Sequence, residues 1–342
     1  MKNMNLFILC GLVLNLLCIS ACLVFAQAPG VSKIAFSSNR DGNREIHLMN
    51  PDGSRQINLT HHPSQDYMPA FSPTGTQILF VSSRDGEADL YLMDADGTDV
   101  RRVFDEATHR SAPTWSPDGK WIAYQKGRWH DNRELHIASI DNRVEQRITW
   151  VGHAVADPSW SPDGTEIAFV VNVPFIDGIG PLVNTKIVFF NVQTRVEESF
   201  LPEELPLMET PAWSPIGDLI AFSWGKLGLG QDSALFIADR HGQKVKRILA
   251  PIGDPALSEV NPVWSPDGNE LIYEHIVEKP PREGRNVSDT QLYKTDLNGG
   301  DLKQLTRHGT NKEADWFDPA FALSVRPQPQ LLTTIWAKLK QK

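Results

Sequence analysis

Apolar and polar residues alternate in short runs along most of the chain, a pattern typical of β-strands that bury one face. β-Branched and aromatic residues are frequent in these runs, which favours strands over helices. The first run of each group contains an apolar triplet, at Ile34–Phe36, Ile78–Phe80, Ile122–Tyr124, Ile167–Phe169, Ile220–Phe222 and Leu271–Tyr273. A second strand is predicted after each triplet, at Glu45–Asn50, Asp89–Asp94, Glu134–Ser139, Lys186–Asn191, Ala234–Asp239 and Gln291–Asp296.

A seven-residue phrase, Pro-x-(Trp/Phe)-Ser-Pro-x-Gly, precedes five of the six triplets. Its first copy is Pro69–Gly75, and later copies begin at positions 113, 158, 211 and 262, at spacings of 44, 45, 53 and 51 residues. The Ser-Pro-x-Gly step is a turn, because proline fixes φ, aspartate bonds nearby backbone and glycine supplies a positive φ. Repetition at this period is typical of a propeller or a solenoid.

A short fourth strand completes each unit after a second turn. The predicted fourth strands are Gln56–Thr60, Arg101–Phe104, Gln146–Thr149, Val196–Phe200, Val245–Leu249 and Lys303–Thr306. Each unit is therefore predicted to be a four-stranded antiparallel meander, which is the blade of a β-propeller.

The first unit lacks the strand that carries the repeated phrase, and the chain ends with an unpaired, degenerate copy of it at Ala314–Pro319. We expect that copy to complete the first blade. The predicted fold is an all-β, six-bladed β-propeller, closed by a C-terminal strand and preceded by a signal segment. Such closure leaves no open sheet edge, so we expect a monomer.

The units Ile34–Thr60 and Pro69–Phe104 resemble the β-propeller repeats of the TolB family. The resemblance covers nearly all of Val31–Pro319, and its motif is specific for the fold rather than for a function. In TolB an α/β domain precedes the propeller, and the residues before Ile34 leave no room for one.

The N-terminus is predicted to be a targeting segment. Lys2 precedes an apolar stretch from Leu6 to Val24, and small residues follow. Ordinary cleavage would leave Gln27 first, so that residues 1–26 form a signal peptide. Alternatively, a lipobox-like sequence ending at Cys22 would make residues 1–21 a lipoprotein leader, with the membrane contacted only through the lipid on Cys22. An uncleaved anchor is the third alternative.

Charge, cysteine content and the absence of catalytic motifs limit the possible functions of the chain. The net charge of −9 and the absence of a basic run argue against a nucleic-acid partner. All three cysteines lie in the leader, so the propeller has no disulfide. The chain contains no Gly-x-Ser-x-Gly, His-Glu-x-x-His or phosphate-loop motif. These observations favour a non-catalytic protein that needs no cofactor.

Blade topology predicts where a site would lie. In each blade, the loop between the strand with the apolar triplet and the strand after it lies on the same face as the connections between blades. Three long insertions fall on this face, at 172–185, 223–233 and 274–290. Exposed aromatic residues are common in interfaces. The predicted partner-binding residues are Trp129, Phe175 and Trp224 on the loops, with His109, His153, Glu209 and Glu259 around the channel mouth.

Two alternatives stay open. Histidines and carboxylates of the blade connections could bind a divalent metal. Because some lyases with related propellers use such a site, the resemblance allows a metal-assisted, carbohydrate-active lyase or hydrolase. Otherwise the chain is an exported protein-interaction module of the cell envelope, periplasmic or secreted, or an outer-membrane lipoprotein, with an envelope or secreted protein as partner.

The C-terminal segment, residues 320–342, is Pro-rich and ends in a short amphipathic helix. Five apolar residues there share one helical face: Leu331, Leu332, Ile335, Trp336 and Leu339. We expect this helix to dock on the propeller rim; contact with a partner or with a membrane surface is the alternative.

Overall fold

The computed structural model describes residues 26–128, 133–149, 155–173, 184–201, 207–225, 233–248, 259–282 and 285–323. Within these ranges the chain forms 24 strands in six four-stranded antiparallel sheets. These sheets are the blades of a six-bladed propeller, which confirms the predicted fold class. None of the described residues belongs to a helix long and apolar enough to cross a bilayer.

The strands in chain order are β1 (Lys33–Ser38), β2 (Glu45–Met49), β3 (Ile57–Asn58), β4 (Asp66–Phe71), β5 (Gln77–Ser82), β6 (Asp89–Asp94), β7 (Arg101–Arg102), β8 (Arg110–Trp115), β9 (Trp121–Lys126), β10 (Glu134–Ser139), β11 (Glu145–Arg147), β12 (Val155–Trp160), β13 (Glu166–Val173), β14 (Asn184–Asn191), β15 (Glu197–Ser199), β16 (Met208–Trp213), β17 (Leu219–Trp224), β18 (Ala234–Asp239), β19 (Lys246–Arg247), β20 (Glu259–Trp264), β21 (Glu270–Arg282), β22 (Arg285–Asp296), β23 (Lys303–Gln304) and β24 (Asn311–Phe317). Blade 1 contains β24, β1, β2 and β3, from the channel outward, and blades 2 to 6 take the remaining strands four at a time.

The C-terminal strand closes the ring as predicted. β24 pairs antiparallel with β1, with Trp316 opposite Ile34. The Asp315 carboxylate accepts a 2.6 Å hydrogen bond from the backbone N–H of Phe71, which joins the last strand to blade 2. Both ends of the described chain therefore stabilise a single blade.

The hydrophobic core is divided among the blade interfaces. Six clusters of buried residues form within the described ranges, and each joins one blade to the next. The repeated aromatic residue contributes to a different interface each time; its copies are Phe71, Trp115, Trp160, Trp213, Trp264 and Trp316. Packing between blades is therefore the structural role of the aromatic position, as expected from the repeat.

The three Ser-Pro-Asp-Gly turns share one hydrogen-bonding scheme. In blade 3 the Ser116 hydroxyl donates to Asp118 (2.7 Å), which also accepts from the backbone N–H of Lys120 (3.1 Å). The Ser116 oxygen in turn accepts from the N–H of Trp121 (2.9 Å). The aspartate thus bonds nearby backbone as the sequence predicts, and the turn leads directly from the first strand into the second.

Three sequence-based boundaries are wrong. The fourth strands contain only two or three residues each. The insertion expected at 274–290 is instead a long β-hairpin formed by β21 and β22, whose register shifts between Lys279 and Arg282. The insertion expected at 223–233 begins later, because Ser223 and Trp224 belong to β17.

Candidate functional site

The strand register places two kinds of connection on one face of the propeller. At one end of blade 2, Asp66 of β4 lies opposite Ser82, and Ser82 lies opposite Asp89. The connection between β5 and β6 and the connection into β4 therefore emerge side by side, as the 3.0 Å hydrogen bond from Ser83 N–H to Gln65 C=O shows. We call this side the loop face, and the side that carries the Ser-Pro-x-Gly turns the turn face.

A ring of six residues surrounds the central channel below the loop face. Each of these residues precedes the repeated proline, or Ala314 in blade 1, and lies where the innermost strand shifts register. All six have positive φ values between 48° and 55° and line a cavity of about 220 Å³. We call them the bulge ring; in blade order they are Glu313, Met68, Ala112, Asp157, Thr210 and Asn261.

Positive φ is unfavourable for residues with a Cβ, at about 1–2 kcal/mol each, so the surrounding structure must hold these bulges in place. Hydrogen bonds between blades do so at several positions. The N–H of Met68 donates to Glu313 Oε2 (3.0 Å), and the N–H of Asn261 donates to Thr210 Oγ1 (3.3 Å). The N–H of Glu313 donates to Glu274 Oε1 (2.7 Å).

The side chains of the bulge ring differ from blade to blade. Glu313 and Asp157 come from opposite blades, with Met68 and Ala112 between them on one side and Thr210 and Asn261 on the other. The ring therefore presents two carboxyl groups separated by an apolar half and by a hydroxyl and amide half. A repeated backbone geometry with non-repeating side chains allows the channel to recognise an asymmetric partner.

Burial and neighbouring charges raise the pKa values of acidic groups around the channel. Burial raises the pKa of Asp157 to about 6, and the negative charges of Glu209 and Glu313 add to this shift while Arg133 opposes it. Burial also raises the pKa of Glu274 to about 7, again with a contribution from Glu313. Partial burial among the channel residues also raises the pKa of Glu209, although its side chain is exposed to solvent.

The predicted site residues have different surroundings. Glu209 is the second residue of β16 and is exposed at the loop-face end of the channel. His109 is half-buried directly before β8, and its Nδ1 has no hydrogen-bond partner among the described residues. Glu259 opens β20, where its backbone lies opposite His275.

The remaining predictions concern aromatic residues and one histidine. Trp129, His153 and Phe175 lie outside the described residues. Trp224 was expected on an exposed loop, and this expectation is wrong. It is the half-buried last residue of β17, and its ring packs against Phe236 with centroids 5.1 Å apart.

The possible metal ligands of the blade connections do not converge within the described ranges. No group of three His, Cys, Asp or Glu side chains suited to a metal ion forms there. His61 and His308 are exposed, and His62 accepts a 3.1 Å hydrogen bond at Nδ1 from the N–H of Ser64.

Comparison with known proteins identifies the repeat. A family model described as "TolB beta propeller domain" matches residues 20–128. The Tol-Pal system protein TolB of Syntrophotalea carbinolica is 43% identical over 49 residues, which is 14% of this chain and 11% of that protein. The chain therefore matches about a tenth of the length of this curated relative.

Solved structures share the fold at low sequence identity. TolB from Acinetobacter baumannii is 18% identical, with a TM-score of 0.64 over 84% of this chain and 68% of that chain. An oligogalacturonate lyase in complex with manganese is also 18% identical, with a TM-score of 0.51 over 82% of this chain and 73% of that chain. Such likeness establishes the architecture alone, and this architecture serves enzymes as well as other proteins.

Sequence analysis predicted residues around the channel mouth but did not identify the bulge ring. In the sequence, Asp157 and Glu313 are simply polar residues of the connections between blades. The repeated proline carries the signal, because it marks the position before it in five blades, where the residue type changes each time. Side chains that vary at a structurally constant position are candidates for specificity.

Proposed function

We propose that this chain, a six-bladed β-propeller whose residues 20–128 match the TolB β-propeller family, is an exported, non-catalytic protein-interaction module of the cell envelope. Its protein partner binds the loop face, over the mouth of the channel. The observation that carries this proposal is the contrast between a turn face built from one repeated phrase and a loop face whose connections are alike only in blades 1 and 2 and differ in the other four blades. Irregular loops on a rigid scaffold are the usual place for binding residues.

The chemistry of the channel mouth supports a partner with a basic contact residue. Glu209 is exposed beside the bulge ring, and the carboxyl groups of Asp157 and Glu313 lie within it. A lysine or arginine of the partner would lower the electrostatic cost of holding these acidic groups together. Apolar contact from the connections that carry Trp129 and Phe175 would supply most of the binding energy.

The sequence of the N-terminal segment supports an envelope address. The apolar leader before Gln27 is typical of exported proteins. Measurement of the intact mass of the purified protein tests this step, with Gln27 or an acylated Cys22 as the expected first residue. A protein that retains Met1 and Lys2 in the cytoplasm would contradict export.

Affinity capture from the envelope fraction tests the partner face directly. We expect Trp129→Ala combined with Glu209→Lys to weaken partner capture by well over tenfold, since loss of a good anchor costs about 2 kcal/mol or more. Trp224 is unsuitable for this experiment, because its packing on Phe236 ties it to stability.

The control variant changes the turn face. Asp163→Ala removes hydrogen bonds from the Ser161 hydroxyl (2.6 Å) and the Thr165 N–H (2.9 Å). It should lower the melting temperature modestly and leave capture unchanged. Capture that fails in Asp163→Ala but survives in the loop-face variant would place the partner on the other side of the propeller.

Metal analysis separates this proposal from the metal-assisted lyase. Among the described side chains no cluster favours that alternative. An interaction module should retain no stoichiometric divalent metal after dialysis, whereas one tightly held ion for each chain would favour the enzyme.

A further inference from the structure

The turn face contains a second and larger opening of the channel. This funnel has a volume of about 620 Å³ and is lined by residues of all six blades. Prolines recur around it because both prolines of the repeated phrase face the channel axis. We call it the proline funnel; its repeating lining residues are Pro73, Pro117, Pro162, Pro215 and Pro266 from the turns.

The C-terminal part of the chain enters this funnel. After β24 ends at Phe317, the N–H of Leu323 donates a 2.9 Å hydrogen bond to the backbone C=O of Pro73. Phe321 and Leu323 line the funnel and are 54% and 40% exposed, respectively. The described chain thus ends with large apolar side chains at the funnel wall that are only partly covered.

The charges of the funnel rim and of the following segment are complementary. The inner turns and the end of β24 carry five aspartates and one lysine: Asp118, Asp163, Asp218, Asp267, Asp318 and Lys120. Residues 324–342 contain Arg326, Lys338, Lys340 and Lys342 and no acidic residue. Opposite charge on the two surfaces favours contact between them over contact of the acidic rim with an anionic membrane.

We propose that residues 331–340 of this chain dock on the proline funnel as an amphipathic helix. Leu331, Leu332, Ile335, Trp336 and Leu339 share a helical face that would continue the apolar surface begun by Phe321 and Leu323. The seven residues between them include Pro327 and Pro329 and can span roughly 20 Å in extended form.

The inference does not depend on the identity of a partner, because it concerns contacts within one chain.

Photo-crosslinking in the full chain tests the docking. The photoreactive residue p-benzoylphenylalanine replaces Trp336 on the apolar helical face or, as the matched control, Ala337 on the opposite face. We expect Trp336→p-benzoylphenylalanine to give intramolecular crosslinks to the funnel, around Thr114 and Phe321, and the Ala337 variant to give about tenfold less product at those positions. Mass spectrometry of the digested monomer identifies the sites.

A second pair of variants controls for sequence changes in the tail. Leu332→Asp with Ile335→Asp should abolish the funnel crosslinks from position 336, whereas Thr333→Asp with Thr334→Asp should retain them. Equal products from positions 336 and 337, crosslinks to the loop face, or products found only between two copies would overturn the proposal. So would crosslinks that transfer to lipid when vesicles containing phosphatidylglycerol are present.

Discussion

The two faces of the propeller are built from the same blades but follow opposite rules. On the turn face, serine, proline and glycine recur at fixed positions, and the three turns that contain aspartate repeat one set of hydrogen bonds, as at Ser116–Gly119 and Ser265–Gly268. Towards the loop face, each blade has its own connections, and the bulge ring has six different side chains. Structural constraint is therefore concentrated on one face, and variation on the other.

The difference arises from how the blades are joined. A Ser-Pro-x-Gly turn must reverse the chain between adjacent strands, so few sequences satisfy it. The bulge ring has the same backbone geometry in every blade, but its side chains differ, and some of them, such as Glu313 and Thr210, also accept hydrogen bonds from N–H groups of the ring. The channel can thus acquire specificity without a change in fold.

Deletion of residues 311–342 removes the strand that closes the ring and should have the largest effect on stability. Without β24, β1 becomes an edge strand, and the contact between the rings of Phe317 and Phe71, which lie 5.4 Å apart, is lost. We expect loss of cooperative thermal unfolding, measured by circular dichroism. Deletion of residues 324–342 is the control and should preserve cooperativity. A 311–342 deletion that melts within a few degrees of the full chain would disprove closure by β24.

Two glycines of the repeated phrase allow a sharper comparison. Gly75 and Gly217 have φ values of +68° and +79°, but a Cβ at Gly75 would lie 2.0 Å from the Phe317 ring, whereas nothing lies within 4 Å at Gly217. Gly217→Ala should cost about 1 kcal/mol through backbone strain alone. Gly75→Ala should cost roughly 3 kcal/mol or more, because steric overlap with a buried ring adds to that strain. Chemical denaturation measures both, and equal losses would show that the ring moves freely aside.

The repeat made the turn face predictable from the sequence. Pro69–Gly75 and its copies specified strands, turns and interblade aromatic residues together, and the unpaired copy at the C-terminus specified closure. Each of these inferences needed only residue types whose local preference agrees with the fold.

The loop face was less predictable because tertiary contacts decide its structure. The segment 274–290 was predicted to be a loop insertion but forms a hairpin, in which Pro280 and Pro281 fall where the register shifts and a ladder N–H is not required. Ala112 has no local preference for positive φ, and tertiary contacts impose it: the register shift between β8 and β9 and a 3.3 Å hydrogen bond from its N–H to Met68 Sδ. Trp224 was assigned to binding from its aromatic character, although packing on Phe236 accounts for its position.

The acidic interior behind the bulge ring should make stability depend on pH, and this is the smallest of the expected effects. Glu274 is 1% exposed, and its pKa rises from 4.5 to about 7 through burial and the charge of Glu313. Between these two values the folded protein holds a proton that the unfolded chain releases, so this group's contribution to the free energy of unfolding falls as pH rises.

Substitution by glutamine removes that titration and keeps the oxygen that accepts from Asn261 (2.7 Å) and from the N–H of Glu313 (2.7 Å). The difference in the free energy of unfolding between Glu274→Gln and the wild type should therefore be about 2 kcal/mol more favourable at pH 8 than at pH 5. Urea denaturation at the two pH values measures this difference. Glu270→Gln, on the same strand but at the turn-face end, loses an ion pair with Lys294 (2.7 Å) and should change stability equally at both pH values. If Glu274→Gln behaves like Glu270→Gln, Glu274 is ionised in the folded protein throughout this range, and the channel side of the blades is no more sensitive to pH than the turn face.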